Sequence, residues 1–356
     1  MTYALDQIAG RQKAQTKIPS WAATEGITYP PHLSMEQCSS EATARYKAKI
    51  AGQGQKMVDL TAGFGVDMAF MSAGFKEAVH VEQQASLCAI SSANYARLGL
   101  HHIHVENSDG VAYLHQMGHA DLIFIDPARR NEHGGRTYGI ADCTPNILEI
   151  IDEMLEKADR VMIKLSPMLD WQKAVADIGN VSEVHIVSVG NECKELLLVV
   201  RGGESEKVRV FCVNDNQVFS YEMGDSHPLT SSPSHLPTFL YEPNASVMKA
   251  GCFRLIEQRY AVSQPDKNSH LFLSAQQVEG FPGRGFVIER TCSMNKRELK
   301  TALTGITQAN IAVRNFPLSV AELRKRLKLK DGGEVYIFAT TDAKKGHLLL
   351  VCRKIS

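Results

Sequence analysis

No run in this chain of 356 residues approaches the roughly 18 apolar residues that a membrane-crossing helix requires, so the sequence reads as a protein without a membrane span. It has no C-x-x-C pair either: Cys38, Cys88, Cys143, Cys193, Cys212, Cys252, Cys292 and Cys352 lie far apart. That scatter fits reduced thiols in a cytoplasmic protein without a structural metal better than a disulfide framework or a zinc site. The opening stretch MTYALDQIAGRQKAQTK carries no signal-peptide core, in line with the same expectation. Neither sign of charge is in excess, with 39 Lys+Arg against 39 Asp+Glu, so total charge names no partner and any basic patch must be local. No internal repeat is present, which excludes an array of one stacked unit.

What is present is an alternation of short apolar runs with helical patterns. Residues 1–55 read as an N-terminal helical lead-in, broken at Pro30-Pro31 and resuming in EATARYKAKI behind a cap at Ser39 or Ser40. Over 56–203 the strand-like runs KMVDL, AVHVE, IHVEN, DLIFID and RVMIKLSP alternate with helical ones, and SEVHIVSVG and KELLLVVR close the segment. That order predicts a parallel α/β sheet covered on both faces. Residues 204–282 hold two short strands around an Asn-Asp-Asn turn, a linker rich in Ser, Pro and His, and a helix over ASVMKAGCFRLIEQRY. Residues 283–356 read strand, helix, strand, helix, strand, strand, a small α+β module.

The stretch DLTAGFGVD, Asp59 to Asp67, follows the first strand. A dinucleotide fingerprint requires G-x-G-x-x-G; Gly63 and Gly65 supply two glycines, but the third position is Met68. Carboxylates at Asp59 and Asp67 would also repel a pyrophosphate. They suit a ligand with hydroxyls and a positive centre, as S-adenosylmethionine has. Three further strands end in acids: Glu82, Asp109 and Asp126. Ligands of such sheets bind outside the carboxyl ends of the strands. Glu82 is therefore placed to receive ribose hydroxyls, Asp109 an adenine amino group, and Asp126 with Pro127 the reacting methyl. A lone acid after a strand is usually a helix cap; four in register with a glycine turn are not explained that way.

Together DLTAGFGVD, VHVEQ, NSDG and DLIFIDPARR resemble the class I S-adenosylmethionine-dependent methyltransferases. The resemblance spans about residues 35–200. With MEQCSSEATARYK ahead of the turn, DPARR after the fourth strand and the terminal module, the whole chain is similar to the bacterial group bearing a C-terminal THUMP-like domain. It implies a Rossmann-like seven-stranded methyltransferase sheet with helices on both faces, plus small α+β C-terminal domains. The implied divisions are a lead-in at 1–55, a methyltransferase domain at 56–203, connecting strands with a small ferredoxin-like domain at 204–282, and a THUMP-like domain at 283–356. S-adenosyl-L-methionine is the implied cofactor, held by Asp59, Thr61, Gly63, Phe64, Gly65, Asp67, Glu82, Gln83, Asp109 and Gly110.

The acceptor side is read from Asp126-Pro127-Ala128-Arg129. It lacks the aromatic of base-amino methylases. It looks closer to the DPPR of tRNA enzymes, some of which methylate carbon 5 through a cysteine thiolate. Here the matching stretch is Lys164 to Pro167, KLSP, with Leu165 at the cysteine position, which argues against that route. Cys143 is the other nearby thiol and reads as inert. Direct transfer to nitrogen or oxygen remains, with Asp126, Pro127 and Lys164 as catalytic candidates. Arg129, Arg130 and Arg136 in ARRNEHGGR are candidate phosphate contacts. From Phe286 to Lys330, ten Lys/Arg against three Glu give +7, leaving −7 elsewhere; Arg324, Lys325 and Arg326 lie within that basic stretch. RNA is the expected partner. A small-molecule or protein methyltransferase, or a non-catalytic RNA-binding protein, are the alternatives.

Overall fold

A computed structural model describes residues 2–129, 139–203, 207–225 and 237–355. The chain divides into two compact units, Met1–Phe211 with Ser220–Met223, and Cys212–Phe219 with Gly224–Ser356.

The first unit opens with helices α1 (Thr2–Lys17), α2 (Pro19–Ala23), α3 (His32–Gln37) and α4 (Glu41–Ala51). Ser40 caps α4 by accepting the Thr43 N–H at 3.3 Å, so the second of the two candidate serines is the cap. Strands β1 (Gly54–Asp59), β2 (Phe75–Glu82), β3 (Ile103–Asn107) and β4 (Leu122–Ile125) follow. Between them lie α5 (Val66–Met71), α6 (Ala85–Arg97) and α7 (Gly110–Gln116). Two short strands, β5 (Ala128–Arg129) and β6 (Cys143–Thr144), pair with each other. Then come α8 (Ile147–Lys157), β7 (Arg160–Leu165), α9 (Trp171–Ile178), β8 (Val181–Val189) and β9 (Glu192–Arg201).

The strand order β8-β9-β7-β4-β1-β2-β3 makes a seven-stranded sheet, and the hairpin of Arg209–Asn214 and Gln217–Glu222 extends it beyond β8. β1 pairs in parallel with both β2 and β4, so the direction of winding reverses there, and a crevice opens at the strands' carboxyl ends. The sheet is not wholly parallel: β9 runs antiparallel between β7 and β8. Gly190 and Asn191, both at positive φ (58° and 62°), form the tight hairpin that turns β8 into β9.

The N-terminal helices share one core with the sheet, in which Ile18, Trp21 and Met35 pack with Met57, Phe64, Met68 and Phe124. Met68 is fully buried, so the position of the absent third glycine packs apolar core instead. Trp21 meets Phe64 of the glycine turn edge-on, with ring centroids 5.1 Å apart. The lead-in is thus part of the structure that fixes the turn.

In the second unit, β12 (Phe239–Pro243), β13 (Phe272–Ser274), β14 (Gly283–Cys292), β15 (Asn310–Val313), β16 (Val335–Asp342) and β17 (Gly346–Lys354) form one sheet, numbered after the extending hairpin as β10 and β11. Its order is β13-β12-β14-β17-β16-β15. Helices α12 (Lys296–Ala302) and α13 (Val320–Leu327) contribute Leu299, Ala302, Leu323 and Leu327 to one core with Ile337, Ala339, Leu349 and Val351. The single helix expected over ASVMKAGCFRLIEQRY is instead two, α10 (Ala245–Ala250) and α11 (Phe253–Tyr260). Gly251 stops the first in the left-handed conformation, φ 70°, where its N–H closes on the Val247 carbonyl.

Candidate functional site

The carboxyl ends of β1, β2, β4 and β7 open on a cleft of about 870 Å³ in the first unit. Asp59, Thr61, Gly63, Phe64, Gly65, Asp67, Glu82, Gln83, Asp109 and Gly110 all line it, as do Asp126, Pro127 and Lys164. Local geometry explains the glycines. Gly65 lies at φ 82°, and a Cβ there would stand 2.0 Å from the Tyr95 hydroxyl. A Cβ on Gly110 would stand 2.2 Å from the Leu60 carbonyl oxygen, so α7 can start only this close to β1 without a side chain.

The acids are held differently from one another. Glu82 is buried; its carboxylate accepts the Gly63 N–H at 3.0 Å and the Gln84 N–H at 2.7 Å. Each oxygen keeps one further acceptor direction. Asp109 caps α7, one oxygen accepting from Val111 and Ala112 at 2.9 and 3.0 Å, and its other oxygen accepts no hydrogen bond from the described residues. Asp59 is almost wholly buried and, among the described residues, accepts only the Thr61 N–H, at 3.0 Å. Burial above all, with the neighbouring Asp67 and Asp126 carboxylates, raises its pKa well above the usual carboxylate range. The Thr61 hydroxyl accepts the Asp126 N–H at 2.7 Å, tying the glycine turn to the end of β4.

Lys164 does not reach for water. Its ammonium donates to Asp126 Oδ2 at 2.5 Å and lies 3.9 Å from Asp67 Oδ2. Burial opposes its charge, but the carboxylates of Asp126, Asp67 and Glu195 outweigh burial and hold its pKa above the ordinary lysine value. Behind it is a group that sequence spacing did not single out. Lys47 on α4 is fully buried and donates to both Glu195 oxygens, at 2.6 and 2.7 Å, and to Ser39 Oγ at 3.1 Å. Ser39 Oγ donates to Asp67 Oδ2 at 2.6 Å. The only sequence signal for it was the Ser-Ser pair ahead of α4.

The cleft thiols are quiet. Cys143 is buried on β6, and burial pushes the Cys38 thiol up to about 11. Leu165 is buried at the end of β7. Beneath the turn, His80 Nδ1 lies 2.8 Å from the Tyr95 hydroxyl, which donates to the Gly65 carbonyl at 3.1 Å. Burial pushes the His80 pKa down to about 3, so it packs as a neutral ring.

The basic candidates separate. Arg130 and Arg136 lie outside the described residues, as does the side chain of Arg129. Arg324, in the second unit, is engaged: its guanidinium donates to the carbonyls of Ala309 and Lys330 at 2.9 and 3.0 Å and to Asp331 at 2.5 Å. Arg290 and Arg314 are likewise bonded, to Ala302 and Glu242. Lys325 and Arg326 are exposed and their side chains meet no partner among the described residues, as is the case for Lys296, Arg297, Lys300, Lys328 and Lys330. Among the described residues no group of three His, Cys, Asp or Glu could hold a metal ion, and no helix is long and apolar enough to cross a membrane.

A doubly wound seven-stranded sheet with an antiparallel β9, a glycine turn after β1 and acids at the strand ends defines a class I S-adenosylmethionine-dependent methyltransferase fold. Residues 239–282 match a ferredoxin-like domain model and residues 283–354 a THUMP-domain-like model. The chain is similar to the crystal structure of a proposed methyltransferase from Porphyromonas gingivalis W83, with 32% identity over 99% of this chain and 90% of that one, at a TM-score of 0.90. It belongs to that family, the class I methyltransferases with a C-terminal THUMP-like domain. More distant are an rRNA methylase from Streptococcus thermophilus (16% identity, 45% of this chain and 93% of that, TM-score 0.33) and M. capricolum TrmK bound to S-adenosyl-homocysteine (14%, 46% and 69%, 0.36). At those values neither carries an inference. No curated protein matches the sequence.

Proposed function

We propose that this protein transfers the methyl group of S-adenosylmethionine to a nitrogen or oxygen of RNA, without a covalent cysteine intermediate. The observation that carries the transfer is the ion pair of Asp126 and Lys164 on the same cleft as Glu82, Asp59 and the glycine turn. The donor set fits the cofactor. Glu82 has acceptor directions left for ribose hydroxyls, Asp109 has an oxygen left for an adenine amino group, and acids line the place for a cationic centre. When bound, the cofactor supplies a methyl group on a sulfonium. Asp126 orients the acceptor N–H or O–H and takes its proton as the new bond to carbon forms and the carbon–sulfur bond breaks. Lys164 keeps that carboxylate in one orientation. With Leu165 in the thiolate position and Cys143 buried, nothing in the cleft favours a covalent route.

The RNA reading rests on the exposed, unpartnered cations of the second unit, since the cleft itself offers a polyanion little. Among the described lining residues it presents seven acids, with Lys164 and Lys194 as its only cations. That acid excess favours a second reading, in which the acceptor is a neutral or cationic amine of a small molecule or protein.

The test is transfer of labelled methyl groups by the full chain to RNA from cells lacking it, with nucleosides analysed by mass spectrometry. A new methylated nucleoside is expected. Asp126→Asn should reduce its formation at least a hundredfold, the range for loss of a general base, with cofactor affinity preserved. Cys143→Ala should leave it intact. A fluorinated pyrimidine RNA that traps a covalent complex, or transfer only to a non-RNA acceptor, overturns the reading.

A further inference from the structure

Five ionisable side chains from five elements line up behind the reacting position. Glu195 on β9 takes two hydrogen bonds from Lys47 on α4, at 2.6 and 2.7 Å. Lys47 stands 3.1 Å from Asp67 Oδ1 on α5. Asp67 Oδ2 stands 3.9 Å from Lys164 on β7, and Lys164 donates to Asp126 beyond β4 at 2.5 Å. The signs alternate, minus, plus, minus, plus, minus. Glu195 and Lys47 are enclosed, at 4% and 0% side-chain exposure, and exposure then rises through 11% at Asp67 and 13% at Lys164 to 38% at Asp126. The row therefore starts in the core and ends in the cleft.

The donors are fully allocated at its inner end. An ammonium has three N–H donors, and Lys47 uses them on Glu195 Oε1, Glu195 Oε2 and Ser39 Oγ. Asp67 Oδ1 is left with the Lys47 charge but no hydrogen bond of its own. Its other oxygen is held by the Ser39 hydroxyl at 2.6 Å, the same oxygen that faces Lys164. Ser39 thus competes with Lys164 for Asp67 Oδ2, and while it wins, the Lys164 ammonium is left to Asp126.

Resting on the methyl-transfer reading above, we infer that Ser39, Lys47 and Glu195 are positioning residues that act through Asp67 and Lys164 to hold the Asp126 carboxylate in one orientation toward the methyl acceptor. Removing the Ser39 hydroxyl frees Asp67 Oδ2, draws Lys164 toward it and loosens Asp126. Misplacement of a reacting group by an ångström can cost about a hundredfold in rate, so a partial loosening lowers transfer by about tenfold. Around Asp126 stand Lys164 on β7, Asp59 on β1 and the Thr61 hydroxyl, which accepts the Asp126 backbone N–H, with Asp67 of α5 on the other side of Lys164. Of these, only Lys164 donates to its carboxylate among the described residues.

The experiment uses the full chain as wild type, Ser39→Ala and Lys47→Arg, the last retaining charge while changing donor geometry. Two quantities are read on the same proteins. One is the rate at which acetic anhydride labels Lys164, followed by peptide mass spectrometry, which needs no activity. The other is the single-turnover methyl-transfer rate, beside calorimetric affinity for S-adenosyl-homocysteine. Both variants are expected to label Lys164 at least fivefold more slowly, because the ammonium moves inward onto a more buried carboxylate, and to transfer about tenfold more slowly, with product affinity changed less than threefold. Unchanged labelling and unchanged transfer in both variants overturn the inference, as does slower transfer explained wholly by lost cofactor binding. If wild type transfers nothing to RNA yet the labelling falls in both variants, the row stands and the RNA reading falls.

Discussion

The two units use charge in opposite ways. In the first, cations are buried and committed: Lys47 is enclosed by Glu195 and Asp67, and Lys164 is taken up by Asp126. In the second, Lys325, Arg326 and Lys328 at the end of α13 are exposed and unpartnered, while Arg324 on the same helix is drawn into the unit by two carbonyls and Asp331. A buried charge is tolerated only when paired and hydrogen-bonded, so it fixes geometry and selects a small ligand. An exposed one stays hydrated and mobile, and its use is long-range attraction for a polyanion. A chain with equal numbers of cationic and anionic side chains can therefore hold an acid-rich cleft and a basic face at once.

The largest effect that should separate the two regions is on RNA affinity. Reversing Lys325, Arg326 and Lys328 to Glu together should weaken RNA binding about a hundredfold at 0.1 M salt, since each lost phosphate contact is worth roughly a factor of five there. The salt slope should flatten by about two, and affinity for S-adenosyl-homocysteine should not change. Filter binding across a salt series checks this, with circular dichroism to verify that α13 persists. Arg324→Glu, by contrast, should lower thermal stability. If it abolishes RNA binding without destabilising the protein, the division between engaged and free cations is wrong.

Next in size is the cleft. Glu82→Ala removes a carboxylate that also holds the Gly63 and Gln84 N–H groups, so cofactor affinity should fall by about 2 kcal/mol, near thirtyfold. RNA affinity should stay within twofold. Calorimetry showing no change in cofactor binding would remove Glu82 from the site.

The smallest effect is on stability. The Asp59 pKa is raised in the folded state, so folding binds a proton there. Its ionisation is disfavoured in the fold, and stability falls as pH rises from about 4, the unfolded carboxylate value, up to the raised value. Asp59→Asn should flatten that fall and raise the melting temperature near pH 7 by a few degrees, the scale of about 1 kcal/mol for a protein of this size. His80 gives the opposite limb. Its folded pKa is depressed to about 3, so the stability it contributes is present above about 6.5 and is lost as pH falls toward 3. Melting curves of the wild type and of Asp59→Asn between pH 3 and 8 measure the two limbs, the alkaline fall being the one the substitution flattens.

Much of the first unit was legible in the residues. Strand runs such as KMVDL and DLIFID, the turn glycines and the acids that end β1, β2 and β4 are local features, and local periodicity reports them. Other features were not. The antiparallel placement of β9 depends on which strands pair. The break at Gly251 was hidden because a glycine inside an apolar helical pattern is also tolerated without a break. Lys164 stood in the sequence as a catalytic candidate without a visible partner, and that partner proved to be Asp126, 38 residues earlier.

By itself the sequence determined the element order, the glycine turn, the register of acids and the basic stretch of the C-terminal module, because each follows from side-chain type and near spacing. Only the tertiary structure decided which charges are committed. Lys47 and Glu195 are 148 residues apart, and nothing between them signals that the fold encloses both. Whether a lysine is a buried hub, a cleft donor or a free surface cation depends on the dielectric and the partners around it. Those come from packing at a distance of a few ångströms in space, which spacing along the chain does not encode.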